Sequence, residues 1–165
     1  MKQRGTTIIE VLVYLALFGI VMGGVVVTSF HIYESSHKTH AVIAIVDESE
    51  FIKSKINWIL SESNFVHSPQ KNTSSPVLSV QSLRTDYANP VRIFVSDQAL
   101  LIQYGISTAI PISKSTIKIS DLSFDYAEDA VLSQLFIKMK YTLSAHTTNG
   151  MQIIQEFEHL FYMYE

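Results

Sequence analysis

A single carboxylate, Glu10, stands at the start of a long apolar stretch, with isoleucine before it and valine and leucine after it. A charged side chain deep in a membrane helix costs about 3 kcal/mol on insertion scales, and such residues are usually functional and have an identifiable partner. Alternatively, Glu10 lies at the headgroup level or in the first turn of a helix, where the dipole stabilises an anion. The residues around Glu10 leave both interpretations open.

Two further clusters contain residue types that could bind a metal ion. Members of the first share one helical face, at i, i+3 and i+6: Glu34, His37 and His40. They could bind a metal, but a solvated face at a membrane surface is the more common reason for such a pattern. Members of the second form an acidic loop: Asp125, Glu128 and Asp129. Oxygen-rich loops suit calcium, but no D-x-D-x-D-G pattern is present, so we expect a solvated loop and no metal site.

The composition argues against several classes of function. The chain has no cysteine, which excludes disulfides, thiolate metal sites and cysteine nucleophiles. The net charge is −3 and no run of basic residues is present, so no nucleic-acid partner is predicted. No G-x-S-x-G, phosphate-binding glycine loop or H-E-x-x-H motif is present, so we expect neither an enzyme nor a cofactor. His146 and His159 could approach across the last hairpin, but two histidines do not define a site.

Residues 11–30 form an apolar run without charge or proline. At a helical rise of 1.5 Å per residue this run is about 30 Å long, which matches the hydrocarbon core of a bilayer. It is longer than the apolar region of a cleaved signal peptide, and it lacks both an A-x-A-like site and the polar face of a soluble helix. The run therefore predicts one membrane-spanning helix.

Charges on the two sides of this run predict its orientation. Lys2 and Arg4 precede it, whereas residues 31–40 carry only Lys38 as a basic residue, apart from histidines. The positive-inside rule therefore places the N-terminus in the cytoplasm and the remainder outside. Gly19 and Gly23 form a G-x-x-x-G, which allows close helix packing but also occurs because glycine is common in membrane helices.

The residues after the apolar run predict an α+β fold. Apolar residues recur near the helical period from Val42 to Ile59, and charged residues, Glu48 among them, stand between the apolar positions. We therefore expect one helix from Thr6 to Ser63, with Trp58 contacting the globular part. Residues 64–76 are predicted as a polar loop. Alternation then predicts strands at 77–83, 91–95, 99–104, 116–126, 134–144 and 151–162. Hairpin turns are predicted at 96–98 and, from an Asn-Gly pair, at 146–150. An antiparallel sheet is expected, with its apolar face covered by the amphipathic half of the helix.

The N-terminal segment resembles that of type IV prepilins and of the pseudopilins of type II secretion and competence systems. The leader Met1 to Gly5 is short and basic, Glu10 is fifth after the glycine, and VLVYLALF continues the apolar helix. The resemblance implies the pilin architecture, a long N-terminal helix packed on an antiparallel sheet. Residues 89–93 and 119–124 are more loosely similar to J- or W-type minor pilins.

The resemblance also implies a pathway of processing and assembly. A prepilin peptidase would cut between Gly5, whose missing side chain lets the backbone be gripped closely, and Thr6, and it would N-methylate Thr6. In a filament the Glu10 carboxylate would meet the N-terminal amine of a neighbouring subunit. Implied partners are the peptidase, other pilins or pseudopilins, the inner-membrane assembly platform and the bilayer. The family usually has Phe where Thr6 stands, and major pilins often have Pro where Val27 stands, which favours a minor pilin or pseudopilin.

The predicted organisation is a leader (1–5), a transmembrane and assembly helix (6–30), its amphipathic continuation (31–63) and a β-rich extracytoplasmic domain (64–165). We expect a single-pass protein of the inner membrane that later enters a pilus or pseudopilus. Two alternatives remain, an anchored extracytoplasmic binding module and, less favoured, an anchored enzyme. The sequence does not tell whether the machine is a pilus, a type II secretion system or a competence system.

Overall fold

The structure is a computed structural model that describes residues 7–86, 88–129, 134–147 and 150–163. The chain divides into two compact units, Met1–His40 and Ala41–Glu165. Gly5 and Thr6, the predicted cleavage and methylation positions, lie outside the described residues, as do Thr148 and Asn149 of the last predicted turn.

A single helix, α1, spans Ile8–Ser61, which confirms the prediction of one long N-terminal helix. In the first unit it contains no proline, and nearly every described side chain is exposed. At the end of the helix, serine side chains donate hydrogen bonds to two of its last carbonyl groups. The Ser61 hydroxyl donates to the Trp58 carbonyl at 2.9 Å, and the Ser63 hydroxyl donates to the Leu60 carbonyl at 2.8 Å. Such side-chain donors satisfy carbonyls that have no partner within the helix.

The part of α1 in the second unit is amphipathic. Four isoleucines at helical spacing are buried in the core: Ile45, Ile52, Ile56 and Ile59. Val42 at the start of the same periodicity is 38% exposed, so the buried face begins at Ile45. Trp58 packs partly buried against the core, and Lys55 lies over its ring with its Nζ 4.3 Å from the ring centroid. The predicted contact of Trp58 with the globular part is confirmed.

Strands follow the helix in the described residues. Their bounds are β1 Ser63–Ser68, β2 Thr73–Ser75, β3 Leu78–Ser82, β4 Val91–Ser96, β5 Ala99–Tyr104, β6 Ile110–Pro111, β7 Ile117–Glu128, β8 Leu135–His146 and β9 Gln152–Tyr162. They form two antiparallel sheets, a first sheet in the order β1-β3-β4-β5-β6 and a second in the order β2-β7-β8-β9. The α+β class is confirmed, with two sheets where the sequence analysis expected one.

The prediction of a polar loop over residues 64–76 is wrong, because β1 and β2 both lie in this segment. Each is an edge strand, and each pairs on one side only, with β3 and with β7. An edge strand needs backbone hydrogen bonds but little apolar surface, and Val66 is the only buried residue in the two strands. Without alternation in the sequence, the pattern gave no signal for strands.

The core of the second unit lies among the buried face of α1 and the inward residues of both sheets. Alternate residues of β8 are fully buried, from Ile137 to Leu143, as expected for a strand with one face on the core. The tight turn between β4 and β5 is made by Asp97 and Gln98, with φ of 51° and 62°. Two successive positive φ values match the two-residue hairpin turn whose twist suits the flanking strands.

Candidate functional site

Glu10 lies in the first turn of α1, and its side chain is exposed. The Thr7 carbonyl accepts the backbone N–H groups of Glu10 and Val11 at 3.0 and 3.3 Å, which starts the helix. The Tyr14 hydroxyl donates to Glu10 Oε1 at 3.4 Å, a long hydrogen bond from one turn further along. Within the described residues no cation pairs with this carboxylate, so most of its acceptor capacity is available to a partner.

The helix that carries Glu10 is long and apolar enough to cross a membrane, and it is the one such helix among the described residues. An 18-residue window in it has a mean hydropathy of 2.5, and none of that window is buried. Its hydroxyls are satisfied internally, since Thr28 and Ser29 each donate to a carbonyl four residues earlier at 2.8 Å. Hydrogen bonds of this kind suit an apolar environment, where unpaired polar groups are costly.

Gly19 and Gly23 lie on open helix surface, since a Cβ built at either position meets no atom of the described residues within 4 Å, apart from the nearby helix backbone. The two positions could therefore receive a closely packed neighbouring helix. Their role in helix packing stays a prediction.

The residues weighed as a metal site on α1 do not converge. Glu34 forms an ion pair with Lys38 at 3.3 Å, and the His37 ring lies edge-on to the Tyr33 ring at 4.3 Å between centroids. In the part of the chain that the structure describes, no group of three or more His, Asp or Glu side chains could hold a metal ion.

The expectation of an acidic loop is wrong for Asp125 and Glu128, whereas Asp129 follows the end of a strand. Asp125 and Glu128 lie on β7, which ends two residues later than predicted because its last two residues still pair with β8. The Ser74 hydroxyl donates to Asp125, and the Lys71 ammonium pairs with Glu128. These two carboxylates therefore help to hold the β2 region against β7.

The expected approach of His146 and His159 across the last hairpin is also wrong. In the register of β8 and β9, His146 is opposite Gln152, whereas His159 is opposite Met139. The two histidines therefore lie at different ends of the strand pair.

His159 belongs instead to a buried polar cluster, the Ser49–Tyr141–His159 cluster, inside the second unit. The Ser49 Oγ lies 2.8 Å from the Tyr141 hydroxyl, and both oxygens lie 3.1 Å from His159 Nε2. Burial raises the pKa of Tyr141 to about 12, against a smaller opposing effect of the Ser49 hydrogen bond. Burial, with the charge of Lys53, lowers the pKa of His159. The cluster ties α1 to β8 and β9 through neutral groups.

Glu48 is a buried carboxylate that the sequence analysis placed among the polar residues of the helix. It is 1% exposed, its Oε1 accepts the Lys114 backbone N–H at 2.9 Å, and its Oε2 lies 3.7 Å from Lys114 Nζ. The spacing held a signal, because Glu48 and Ser49 stand at i+3 and i+4 from Ile45, on the face that continues to Ile52.

Comparison with known proteins supports the resemblance of the N-terminal segment to that of type IV prepilins. Residues 1–26 match the family model of the prokaryotic N-terminal methylation motif, which is the prepilin-type signal of type IV pilins. No curated protein and no solved structure matches the chain. The signal and the long apolar N-terminal helix fit a protein anchored in the inner membrane. The motif implies processing by a prepilin peptidase and assembly with other pilins.

Proposed function

We propose that this chain is a minor pilin or pseudopilin, a structural subunit that assembles into a type IV pilus or into the pseudopilus of a type II secretion or competence system. The observation that carries the proposal is the prepilin-type signal over residues 1–26, which includes most of the apolar part of α1. In this proposal the peptidase cuts between Gly5 and Thr6 and methylates the amine of Thr6.

The position of Glu10 supports a role in assembly. Cleavage leaves a positively charged amine at Thr6, and Glu10 stands four residues further along the chain. In the filament the carboxylate of one subunit meets the amine of its neighbour in an apolar interior. An unpaired charge in such an interior is strongly destabilising, whereas a matched pair is tolerated and sets the axial register.

The charges on both sides of the apolar stretch support a single-pass topology. Lys2 and Arg4 remain in the cytoplasm before cleavage, and the β-rich unit lies outside. The apolar part of α1 is the anchor until the subunit is extracted. Val27, where major pilins often have proline, favours a minor component near the tip or the initiation complex.

The proposal is tested by expressing the full chain together with its prepilin peptidase and measuring the mass of the N-terminal peptide from membranes. We expect loss of residues 1–5 and one added methyl group on Thr6. The Glu10→Ala variant should be cut and methylated normally but be absent from sheared filaments, because the neighbouring amine loses its counter-charge. Glu34→Ala, which removes an exposed carboxylate of the same helix, should assemble like the unchanged protein.

Two results would count against the proposal. A leader that stays intact in the presence of active peptidase excludes processing. Normal cleavage combined with normal behaviour of Glu10→Ala excludes the proposed pairing and favours the alternative of an anchored extracytoplasmic binding module.

A further inference from the structure

The two sheets present edge strands that differ in how well they are protected from pairing with another chain. An edge strand exposes unpaired backbone N–H and C=O groups. Proteins usually prevent pairing at such an edge with bulges, proline, charged side chains such as lysine, or a short strand. The β1 edge has register shifts at two places, the β6 edge is two residues long and contains Pro111, and the β2 edge is three residues long. Three edges are therefore protected by their own geometry.

The β9 edge is long and has no bulge, proline or lysine, and its carboxylates are Glu156 and Glu158. It is eleven residues long, pairs with β8 in an unbroken register, and contains no lysine, proline or glycine. Among the described residues β8 is its only neighbour in the sheet. Its composition of isoleucine, phenylalanine, leucine and tyrosine favours strand pairing.

The side chains of β9 also suit a further strand. On the inner face Ile153 and Phe157 pack against the core but are only half-buried. The Phe157 ring stacks on Tyr141 at 5.7 Å and on His159 at 6.3 Å between centroids, and part of its surface remains exposed. The side-chain oxygen of Gln155, on the same face, is buried and accepts no hydrogen bond from the described residues. A strand added beside β9 would cover these side chains and could supply a donor to Gln155.

The charged residues on the outer face of β9 indicate which charge an added strand would carry. Glu158 pairs with Lys138 and Lys140 of β8, at 3.3 and 3.4 Å. Glu156 faces Thr142 on β8 and has no ion pair among the described residues. Opposite charges at facing positions of neighbouring strands stabilise a sheet, and like charges destabilise it. A neighbour of Glu156 is therefore expected to be lysine or arginine.

Full-length pairing of β9 with a second copy of this chain is disfavoured by charge. Full-length antiparallel pairing of β9 with itself would place Glu156 opposite Glu158 of the second copy, at two symmetric positions. In-register parallel pairing would place each glutamate beside its own copy. Both arrangements set like charges against each other.

We propose that β9 accepts an extended segment of a different protein as an added β-strand, with apolar residues on its inner side and a lysine or arginine opposite Glu156. Backbone hydrogen bonds supply the affinity in this mode of recognition, and alternate side chains supply the specificity. The proposal rests on the second unit alone and does not depend on prepilin processing, so the two can fail separately.

The test uses the full-length chain in detergent micelles and fluorescein-labelled eleven-residue peptides. The basic peptide alternates valine and threonine, with lysine replacing the two central threonines, and the matched acidic peptide has glutamate there. We expect the basic peptide to bind, and the acidic peptide to bind about fivefold more weakly. Glu156→Lys should reverse this preference, whereas Glu34→Lys, a charge reversal on α1, should not change it. Circular dichroism checks that both variants keep the fold.

Backbone methylation of the basic peptide reports whether binding uses strand pairing. Methylating alternate amides blocks one edge of the peptide, and the other alternate set blocks the opposite edge. We expect one set to weaken binding roughly tenfold, because it removes the donors that face β9, and the other set to have no effect. Amide hydrogen exchange along β9 should slow when the basic peptide binds.

Several outcomes would overturn the proposal. No binding of the basic peptide would do so, as would equal binding of both methylated peptides. Self-association is measured separately with the variants Ile154→Cys and Leu160→Cys, in a chain that has no cysteine of its own. Full-length antiparallel pairing of β9 with itself would place these two positions opposite each other. If mixing these two variants yields a disulfide between copies, β9 pairs with itself, and the proposal of a different partner is wrong.

Discussion

The hydroxyl oxygens of Ser49 and Tyr141 lie 2.8 Å apart, although 92 positions separate the two residues in the sequence. Ser49 lies on α1 and Tyr141 on β8, and both side chains are buried. A buried hydroxyl without a partner is costly, so this contact favours one register of the helix against the second sheet. His159 on β9 contacts both hydroxyls and extends the tie to the edge strand.

Tyr141→Phe should lower the free energy of unfolding by about 1–2 kcal/mol, because it removes one partner of a buried hydrogen-bonded cluster while keeping the ring. The measurement is denaturant unfolding of the full chain in detergent. Tyr162→Phe, which removes a hydroxyl from an exposed position of β9, should change stability by less than about 0.5 kcal/mol. Equal effects of the two substitutions would show that the cluster does not contribute.

The stability of the second unit should depend on pH through His159. Burial and Lys53 lower the pKa of His159 from 6.5, so the folded state binds a proton less readily than the unfolded state does. The contribution of the neutral ring is therefore fully present above about pH 6.5 and is lost as the pH falls through the lower folded pKa. Protonation makes both ring nitrogens donors, and Nε2 can then accept from neither hydroxyl.

Thermal unfolding at pH 7.5 and at pH 5 checks this dependence. His159→Gln should show a smaller loss of stability between the two pH values than the unchanged protein. His67→Gln, a change at an exposed histidine of β1, should keep the dependence of the unchanged protein. A His159→Gln profile parallel to that of the unchanged protein would contradict the prediction.

Glu48→Ala should destabilise the protein by about 2 kcal/mol, because the Lys114 backbone N–H loses its acceptor. Glu48→Gln should cost about 1 kcal/mol or less, since the amide oxygen can still accept from Lys114. It also removes a buried charge whose Oε2 has no hydrogen-bond donor among the described residues. Denaturant unfolding distinguishes the two variants, and a larger loss for Glu48→Gln than for Glu48→Ala would contradict this account.

Gly105→Ala should cost about 2 kcal/mol or more. Gly105 has a φ of 57°, where side chains are disfavoured, and an added Cβ would lie 2.8 Å from the Ala88 Cβ. Gly150→Ala is the matched control, because its φ of 77° is also positive but an added Cβ meets nothing within 4 Å. The difference in unfolding free energy between the two variants measures the steric part, and equal losses would exclude it.

Features that depend on residues close together in the chain could be predicted from the sequence. The long helix, the hairpin turn at Asp97 and Gln98 and the strands with clear alternation follow from local periodicity and turn chemistry, and the structure confirms them. Edge strands β1 and β2 escaped prediction because backbone pairing, and not apolar alternation, holds them in place. Glu48 was expected among the exposed polar residues of the helix because it is charged. Its position three residues after Ile45 places it on the buried face instead.

The sequence by itself determined the prepilin-type signal, the apolar helix and the position of Glu10, because all three depend on residue type and on spacing along one helix. Only the tertiary structure decided that Ser49, Tyr141 and His159 meet, that the strands form two sheets, and that β9 is left as a long edge strand without bulge, proline or lysine. These relations join residues far apart in the chain. Their geometry follows from which strands pair and in what register, and no local pattern of residues specifies that choice.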